Sequence, residues 1–468
     1  MRRAVLIAVL TAAACGEERI TVQPIIDLPP PTSDAYPLDD VETLKLSVAE
    51  CGENDDIAVS SGTPEAPPRL EDIPFDEDLV LHLSGDASGV EIAYGRSCCF
   101  AVPGDSLEPH LYFSRAVKWA ESGDPFERTR MNGHGFQFSC GAVFVGGDDP
   151  DLRVEFFDTS VGEFQQLQAE VIPRTNTVLA PLPGDRVLIV GGFDRAGSRV
   201  NLVEVFNPGA ALVEEDVGPA VTDHAAAALD DGTVVVAGGR GAMGPTDEAW
   251  QFGLNDADHL DNPVVLGSRL VVARAGHTMT RLGDELGAGV LIVGGRDDGD
   301  FPVAEAELYR RLPEQFQVAD TLRFPRYGHH AVRMPGGFVL IIGGFDPSPV
   351  RALDLYDPVA GQFQKEGLPM NLPANAGLTD LTVTRLPDGR VLLAGGRDEA
   401  GQKVASTHIA RVDPIDGRVV VVATDAMQVP RAGHTAVLLG DGTVLIVGGT
   451  NDASARAERY NPPSQGRR

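Results

Sequence analysis

Seven times between residues 142 and 449, a run of four apolar residues ends in two glycines. AVFV precedes Gly146-Gly147, VLIV precedes Gly191-Gly192, VVVA precedes Gly238-Gly239 and VLIV precedes Gly294-Gly295. VLII precedes Gly343-Gly344, VLLA precedes Gly395-Gly396 and VLIV precedes Gly448-Gly449. Successive first glycines lie 45, 47, 56, 49, 52 and 53 residues apart, a period that suits a repeat of one small sheet each. The runs are β-branched or aliphatic without polar alternation, as strands covered on both faces require. Paired glycines then let the backbone turn with positive φ, or let a neighbouring chain come where a Cβ would clash.

The flanks of each run complete a four-stranded unit. Asp231-Gly232, Asp388-Gly389 and Asp441-Gly442 are hairpin signals that place a strand before the run. Downstream, strands end in Asn207-Pro208, Asp357-Pro358, Asp413-Pro414 and Asn461-Pro462, where Pro stops the ladder. With the diglycine, the aromatic of the next strand (Phe206, Trp250, Tyr309, Tyr356, Tyr460) and an aromatic in the last strand, the chain resembles the kelch repeats over residues 113–462. That resemblance implies an all-β fold, a seven-bladed kelch-like β-propeller, with a small N-terminal β-domain before it.

The ends of the repeat suggest how the ring closes. Too little chain follows Asn461-Pro462 for a further strand, whereas Trp119 stands 27 residues before Gly146, as Phe164 does before Gly191 and Phe316 before Gly343. Residues 116–121 are therefore expected to complete the C-terminal blade, which removes a free sheet edge. The expected organisation is residues 1–14 as an export signal, 15–38 as an extended Pro- and acid-rich tether, 39–112 as a small β-domain, possibly a sandwich, and 113–468 as the propeller.

Residues 1–14 join Arg2 and Arg3 to an apolar stretch and small residues before Cys15, too short a segment to span a bilayer once matured. They resemble a bacterial lipoprotein signal, which implies lipidation of Cys15; Ala12-Ala13-Ala14 also fits ordinary cleavage and a plain secreted form. By the same resemblance, Gly16 in place of Asp favours the outer membrane. An exported location makes disulfides the default for Cys51, Cys98, Cys99 and Cys140. Three pairings are open, and Cys51 is expected to join one of the adjacent pair and Cys140 the other. Lys and Arg total 38 against 68 Asp and Glu, a formal charge of −30; such a field repels nucleic acid, and any membrane contact is expected through the lipid alone.

The sharpest local pattern is Arg-x-Gly-His at the start of three repeats: Arg274 with His277, Arg326 with His329, and Arg431 with His434. His224 and His134 hold related places, and the repeats led by Arg174 and Asn375 depart from it. These six Arg and His residues are the candidate ligand-binding set, expected to gather at one mouth of the channel as a cationic funnel for an anion such as a sugar acid. Their recurrence argues equally for a structural role, because a catalytic site needs unlike residues in unlike roles.

Other patterns carry less. Gly239-x-Gly241-x-x-Gly244 lacks the following helix that phosphate binding needs, since Pro245 and another strand come next. The carboxylates of Arg296-Asp-Asp-Gly-Asp300 lack the later bidentate Glu of a helix-loop-helix calcium site. Kelch-like copper radical oxidases use a Tyr joined to a Cys, and within the repeats only Cys140 is present. No metal, cofactor or catalytic residue is therefore expected. The function expected is a membrane-tethered binding or scaffold protein whose loop faces hold a protein or glycan partner, with contacts sought around residues 253–267. The alternatives are a carbohydrate-active enzyme resembling the kelch-type sialic acid epimerases, and a surface adhesin.

Overall fold

In the first strand of each repeat a residue faces one neighbouring sheet and the next residue faces the other, and the second strand carries this to completion. In Arg186–Val190, Val187 and Ile189 pack into a cluster with Phe138, Val143 and Val145 of the preceding sheet. Leu188 and Val190 pack into a second cluster with Val234, Val236, Trp250 and Phe252 of the following sheet. Both faces are thus apolar surface removed from water, at roughly 1.5–3 kcal/mol for each fully buried aliphatic side chain. That is why the runs before the diglycines show no polar alternation.

This arrangement belongs to a computed structural model that describes residues 20–22, 24–51, 55–73, 78–101, 108–123, 125, 130–138, 140–147, 154–167, 171–207, 212–255, 259–283, 289–364, 372–452 and 456–462. The expected export signal and Cys15 lie outside the described residues. Among those described, the chain is almost wholly β, with one short 3-10 turn at Pro335–Gly337.

Seven four-stranded antiparallel sheets follow one another through the described residues. In chain order their first strands are His134–Phe138, Val178–Leu182, Ala225–Ala228, Ala275–Arg281, His330–Arg333, Thr382–Arg385 and Thr435–Leu438. Each of these strands touches the first strand of the next sheet, and Thr435–Leu438 touches His134–Phe138. The fourth strand beside Glu458–Asn461 is Lys118–Glu121, with Trp119 opposite Tyr460 and their rings 5.0 Å apart. Trp119 Nε1 donates to the Asp425 carbonyl at 2.9 Å. The whole fits a β-propeller.

Before the repeats stands one seven-stranded sheet whose order runs Ile25–Asp27, His110–Arg115, Val90–Ser97, Asp78–Ala87, Thr43–Glu50, Asp56–Gly62, with Phe100–Ala101 paired to Asp78–Ala87. A ribbon of Ile20–Val22 and Leu70–Ile73 buries Val22, Leu70 and Ile73 against Leu46, Val48, Leu81 and Phe113. The ribbon covers one face of the sheet, with these buried side chains between the two. Part of the expected tether is structured, because Ile25 and Ile26 add a parallel strand beside His110 and Leu111, and Asp27 accepts from His110 Nδ1 at 2.9 Å.

The disulfides are Cys51–Cys99, with Cα atoms 5.9 Å apart, and Cys98–Cys140, at 5.5 Å. The first stays within the N-terminal sheet, and the second ties that sheet to the first four-stranded unit. Two disulfides fit an oxidising, exported compartment. No helix among the described residues is long and apolar enough to cross a membrane. Asn461 makes a further tie, its Nδ2 donating to the carbonyls of Tyr94 at 2.8 Å and Ser114 at 2.9 Å.

Candidate functional site

Each diglycine adopts positive φ at both residues, from 59° to 133°, and the reason is a close approach between sheets. The second glycine donates its N–H to a carbonyl of the next repeat: Gly192 to Val221, Gly239 to Arg274, Gly295 to Arg326, Gly396 to Arg431 and Gly449 to Arg130, at 2.7–2.9 Å. A Cβ on the first glycine would collide with that same carbonyl, as at Gly395, where it would stand 2.5 Å from the Arg431 oxygen.

These contacts set the register of the motif from repeat to repeat. The residue two places after the accepting carbonyl is left-handed in every repeat: Asn132, Asn176, Asp223, Gly276, Gly328, Asp380 and Gly433, with φ from 52° to 71°. Asn and Asp tolerate this conformation better than other side chains. Their backbones link neighbour to neighbour, Gly276 N donating to Asp223 O, Gly328 to Gly276, Gly433 to Asp380 and Asn132 to Gly433, at 2.6–2.9 Å.

In this register the positions given to Arg in the motif are Arg130, Arg174, Val221, Arg274, Arg326, Leu378 and Arg431. Arg130 escaped the sequence reading because Met131 and Asn132 stand where Ala and Gly stand elsewhere. His134 falls one position beyond the motif histidine, whereas His224 occupies it. Leu378 rather than Asn375 leads its repeat; Asn375 lies apart, with its Oδ1 3.3 Å from His408 Nε2.

The five guanidinium groups are fully buried and each meets a buried carboxylate of its own sheet: Arg130 with Glu155 at 2.9 Å, Arg174 with Glu204, Arg274 with Glu307 at 2.6 Å, Arg326 with Asp354 at 2.6 Å and Arg431 with Glu458 at 3.0 Å. Arg274 Nη1 also donates to the carbonyls of Gly294 and Glu305, at 2.9 and 2.8 Å. Its Nε donates to Val272 O at 3.2 Å. Burial lowers the pKa of Arg274 and Arg326 and takes Arg174 down to about 10, opposed in the first two by their acid partners.

The histidines sit between sheets. His329 Nε2 lies 2.9 Å from Thr278 Oγ1 and His434 Nε2 lies 2.8 Å from Thr382 Oγ1, each threonine belonging to the preceding sheet. Burial, reinforced by the neighbouring arginine, takes His277 and His434 down to about 3 and His329 well below its ordinary value; burial first and His134 second take His224 to about 3. These rings are neutral at pH 7.

A cavity of about 630 Å³ opens at this end of the sheets, lined among others by Asn132, Asn176, Asp223, His224, Asp380 and His434. Of the six sequence candidates only His434 reaches its wall. The cationic funnel expected there is corrected: its described lining has no Lys or Arg. The guanidiniums are drawn into the sheets by carboxylates, and burial keeps the imidazoles uncharged.

A second recess, about 390 Å³, lies between the sheets beginning at Val178 and Ala225. Val217, Pro219, Val221, Glu248, Trp250, Pro263 and Val265 line it, and Val217 and Val265 are 64% and 60% exposed. Here Val221 replaces the motif arginine and Trp250 takes the place of its acid, as Val236 opposite Trp250 and Ile292 opposite Glu307 show. Pro263 and Val265 fall within the 253–267 stretch in which a contact was sought.

The remaining patterns are accounted for locally. Arg240–Gly241 and Gly244–Pro245 form a two-stranded hairpin with no helix after it. Asp297 Oδ1 accepts from the N–H groups of Gly299 and Phe301, at 2.8 and 3.0 Å, and Asp300 pairs with Arg240 at 2.9 Å.

No family model matches the chain, and no curated protein matches it. Among solved structures, one titled "Structure of YjhT" aligns with 63% of this chain and 97% of that chain, at 13% identity and a TM-score of 0.46. Likeness at that level assigns no function.

Proposed function

We propose that this chain is an exported binding module, a seven-bladed kelch-type propeller closed by residues 118–121, which holds a protein or glycan partner in the recess around Trp250. The observation that carries the reading is the break in the repeat at Val221 and Trp250. Five repeats spend this position on an internal Arg–carboxylate pair. This one leaves a groove of Trp, Pro and Val with Glu248 at its edge, the composition of sites that receive an apolar or aromatic-stacking anchor. Exposed valines beside a buried tryptophan give it an apolar rim, which a solitary surface valine would not.

The test is a photo-crosslinking residue placed at Pro263, on the wall of the recess, in the native envelope. A single crosslinked species is expected, lost in the V217D/V265D variant and retained in L312D, whose site is 90% exposed on another sheet. Crosslinking that is diffuse, or equal in all three proteins, would remove the reading.

A further inference from the structure

The seven-stranded N-terminal sheet has two edges, and they differ in kind. At one, Ile25–Asp27 is three residues long, follows Pro24 and ends in an acid, devices that keep an edge from pairing. At the other, Asp56–Gly62 has Thr43–Glu50 as its one neighbour in the sheet. After Asp56 its residues, Ile-Ala-Val-Ser-Ser-Gly, carry no charge and no proline, and Ile57 and Val59 are 40% and 49% exposed. Among the described residues, no backbone hydrogen bond from outside the sheet reaches residues 57–62. Alternate residues of an edge strand point their N–H and C=O groups outward, so this strand presents an open row of donors and acceptors.

The chain's own continuation does not close the edge. After the turn held by Thr63 and Ala66, Pro67 and Pro68 come back beside the strand, and neither has an N–H to give it. Between them lies a trough of about 480 Å³, with residues 58–61 on one side and 67–71 on the other. Its surroundings are acidic. Glu50, Asp55 and Asp56 stand at the start of the strand, Glu65 in the turn after it and Glu71 on the far wall. The cations nearby are Lys45, 3.9 Å from Asp56, and Arg69 on the far wall.

We propose that this edge takes up an extended segment of a partner protein as an added β-strand, a segment with an uncharged, β-branched centre and lysine or arginine at its ends. Backbone hydrogen bonds to residues 57–61 supply the pairing, and alternate side chains of the segment enter the trough. Ile57 and Val59 favour β-branched neighbours across the strand. Charge decides the occupant. A second copy of this chain, paired antiparallel about Val59, would set Asp55 and Asp56 of each copy against the Glu65 turn of the other, on chains that each carry −30; like charges so placed are destabilising. A basic segment meets the same carboxylates favourably. This site is separate from the Trp250 recess, so either can fail without the other.

The experiment titrates the folded chain, by calorimetry and by hydrogen exchange, with the peptide acetyl-Lys-Lys-Val-Thr-Val-Thr-Val-Lys-Lys-amide. It is expected to bind with a dissociation constant of about 10–100 μM and to slow exchange in residues 57–61. Replacing its lysines by glutamate, or its central valine by proline, is expected to weaken binding about tenfold or more, the first through charge and the second through a lost ladder hydrogen bond. Val59→Lys, at a half-exposed position, sets a charge against the peptide's apolar centre and is expected to weaken binding as much. V217D, in the Trp250 recess, is expected to leave it unchanged. No binding by the lysine peptide, equal binding by the glutamate or the proline peptide, unchanged affinity in a folded V59K, or exchange slowed only outside residues 56–62 would overturn the proposal. Should V59K lose its fold, the three peptides on the wild-type chain decide the matter alone.

Discussion

Arg274 and Glu307 lie side by side with no exposed surface, Nη2 to Oε1 at 2.6 Å, and the two positions change together from repeat to repeat. Where Arg274 becomes Val221, Glu307 becomes Trp250; where it becomes Leu378, the acid becomes His408, opposite Leu393. A third position follows. Glu307 also accepts from the N–H groups of Val271 and Val272, at 2.7 and 3.0 Å, and in the Trp250 repeat the counterpart of Val272 is Pro219, which has no N–H to satisfy. The pair is thus a unit with its strand entry rather than an isolated bond.

Breaking that unit on one side strands a buried charge. R274V is expected to cost about 3–5 kcal/mol in chemical denaturation. R274V/V272P/E307W, which copies the Trp250 repeat, is expected to recover more than half of that loss. Additive losses in the triple variant would show that the three positions act independently.

Gly395 and Gly401 separate backbone strain from close approach. Both have positive φ, 59° and 75°, yet a Cβ at Gly401 meets nothing within 4 Å whereas one at Gly395 strikes the Arg431 carbonyl. G401A is expected to cost about 1–2 kcal/mol, the price of a left-handed alanine. G395A is expected to leave no cooperative unfolding transition, because that carbonyl also accepts from Gly396 N at 2.7 Å. Equal effects at the two sites would mean that the inter-sheet approach is not what holds the diglycine.

Diglycines and apolar runs were readable in the sequence because each answers a local demand repeated seven times, positive φ and burial on two faces. The register of the motif was not. It is fixed by the left-handed residue, and Asn132, Asn176, Asp223 and Asp380 do that work as well as Gly276 does, so Arg130 and Leu378 went unrecognised. Where guanidiniums point was equally hidden. Arg-x-Gly-His reads as exposed cations until Glu307 and Asp354, 28 to 33 residues downstream, are seen to draw them inward. The groove at Trp250 is legible only as the one repeat in which an aromatic replaces the acid, and the strand at Ile25 only from its partner at His110.

Asn461 tests the tie between the N-terminal sheet and the repeats. Its amide donates to two carbonyls of that sheet, and the side chain is 2% exposed. N461L leaves the Tyr94 and Ser114 carbonyls short of a donor and is expected to cost about 2–4 kcal/mol. Hydrogen exchange should quicken in residues 90–97 and 110–115 before it does in the strand at 339–342. Protection unchanged in the N-terminal sheet would show that the disulfide from Cys98 to Cys140 holds the two parts without it.

The buried histidines make the fold sensitive to acid, and the sign follows from their depressed values. His224, His277 and His434 sit at about 3 in the folded chain against about 6.5 when unfolded. Between those limits the unfolded chain binds more protons, so stability is full above pH 6.5 and falls as pH is lowered toward 3. Each ring contributes a slope of roughly 1.4 kcal/mol per pH unit. Asp354 works against them, because burial raises its pKa in the fold and acidification favours its folded form. Three histidines outweigh one aspartate, so the unfolding free energy is expected to drop steeply between pH 6 and 4, with net proton uptake on unfolding. H434L should lessen that slope by about one proton, since its threonine partner and the Arg431 beside it remain. A stability curve flat from pH 6.5 to 4, or an H434L curve parallel to wild type, would mean that these rings are solvated and charged in the folded protein.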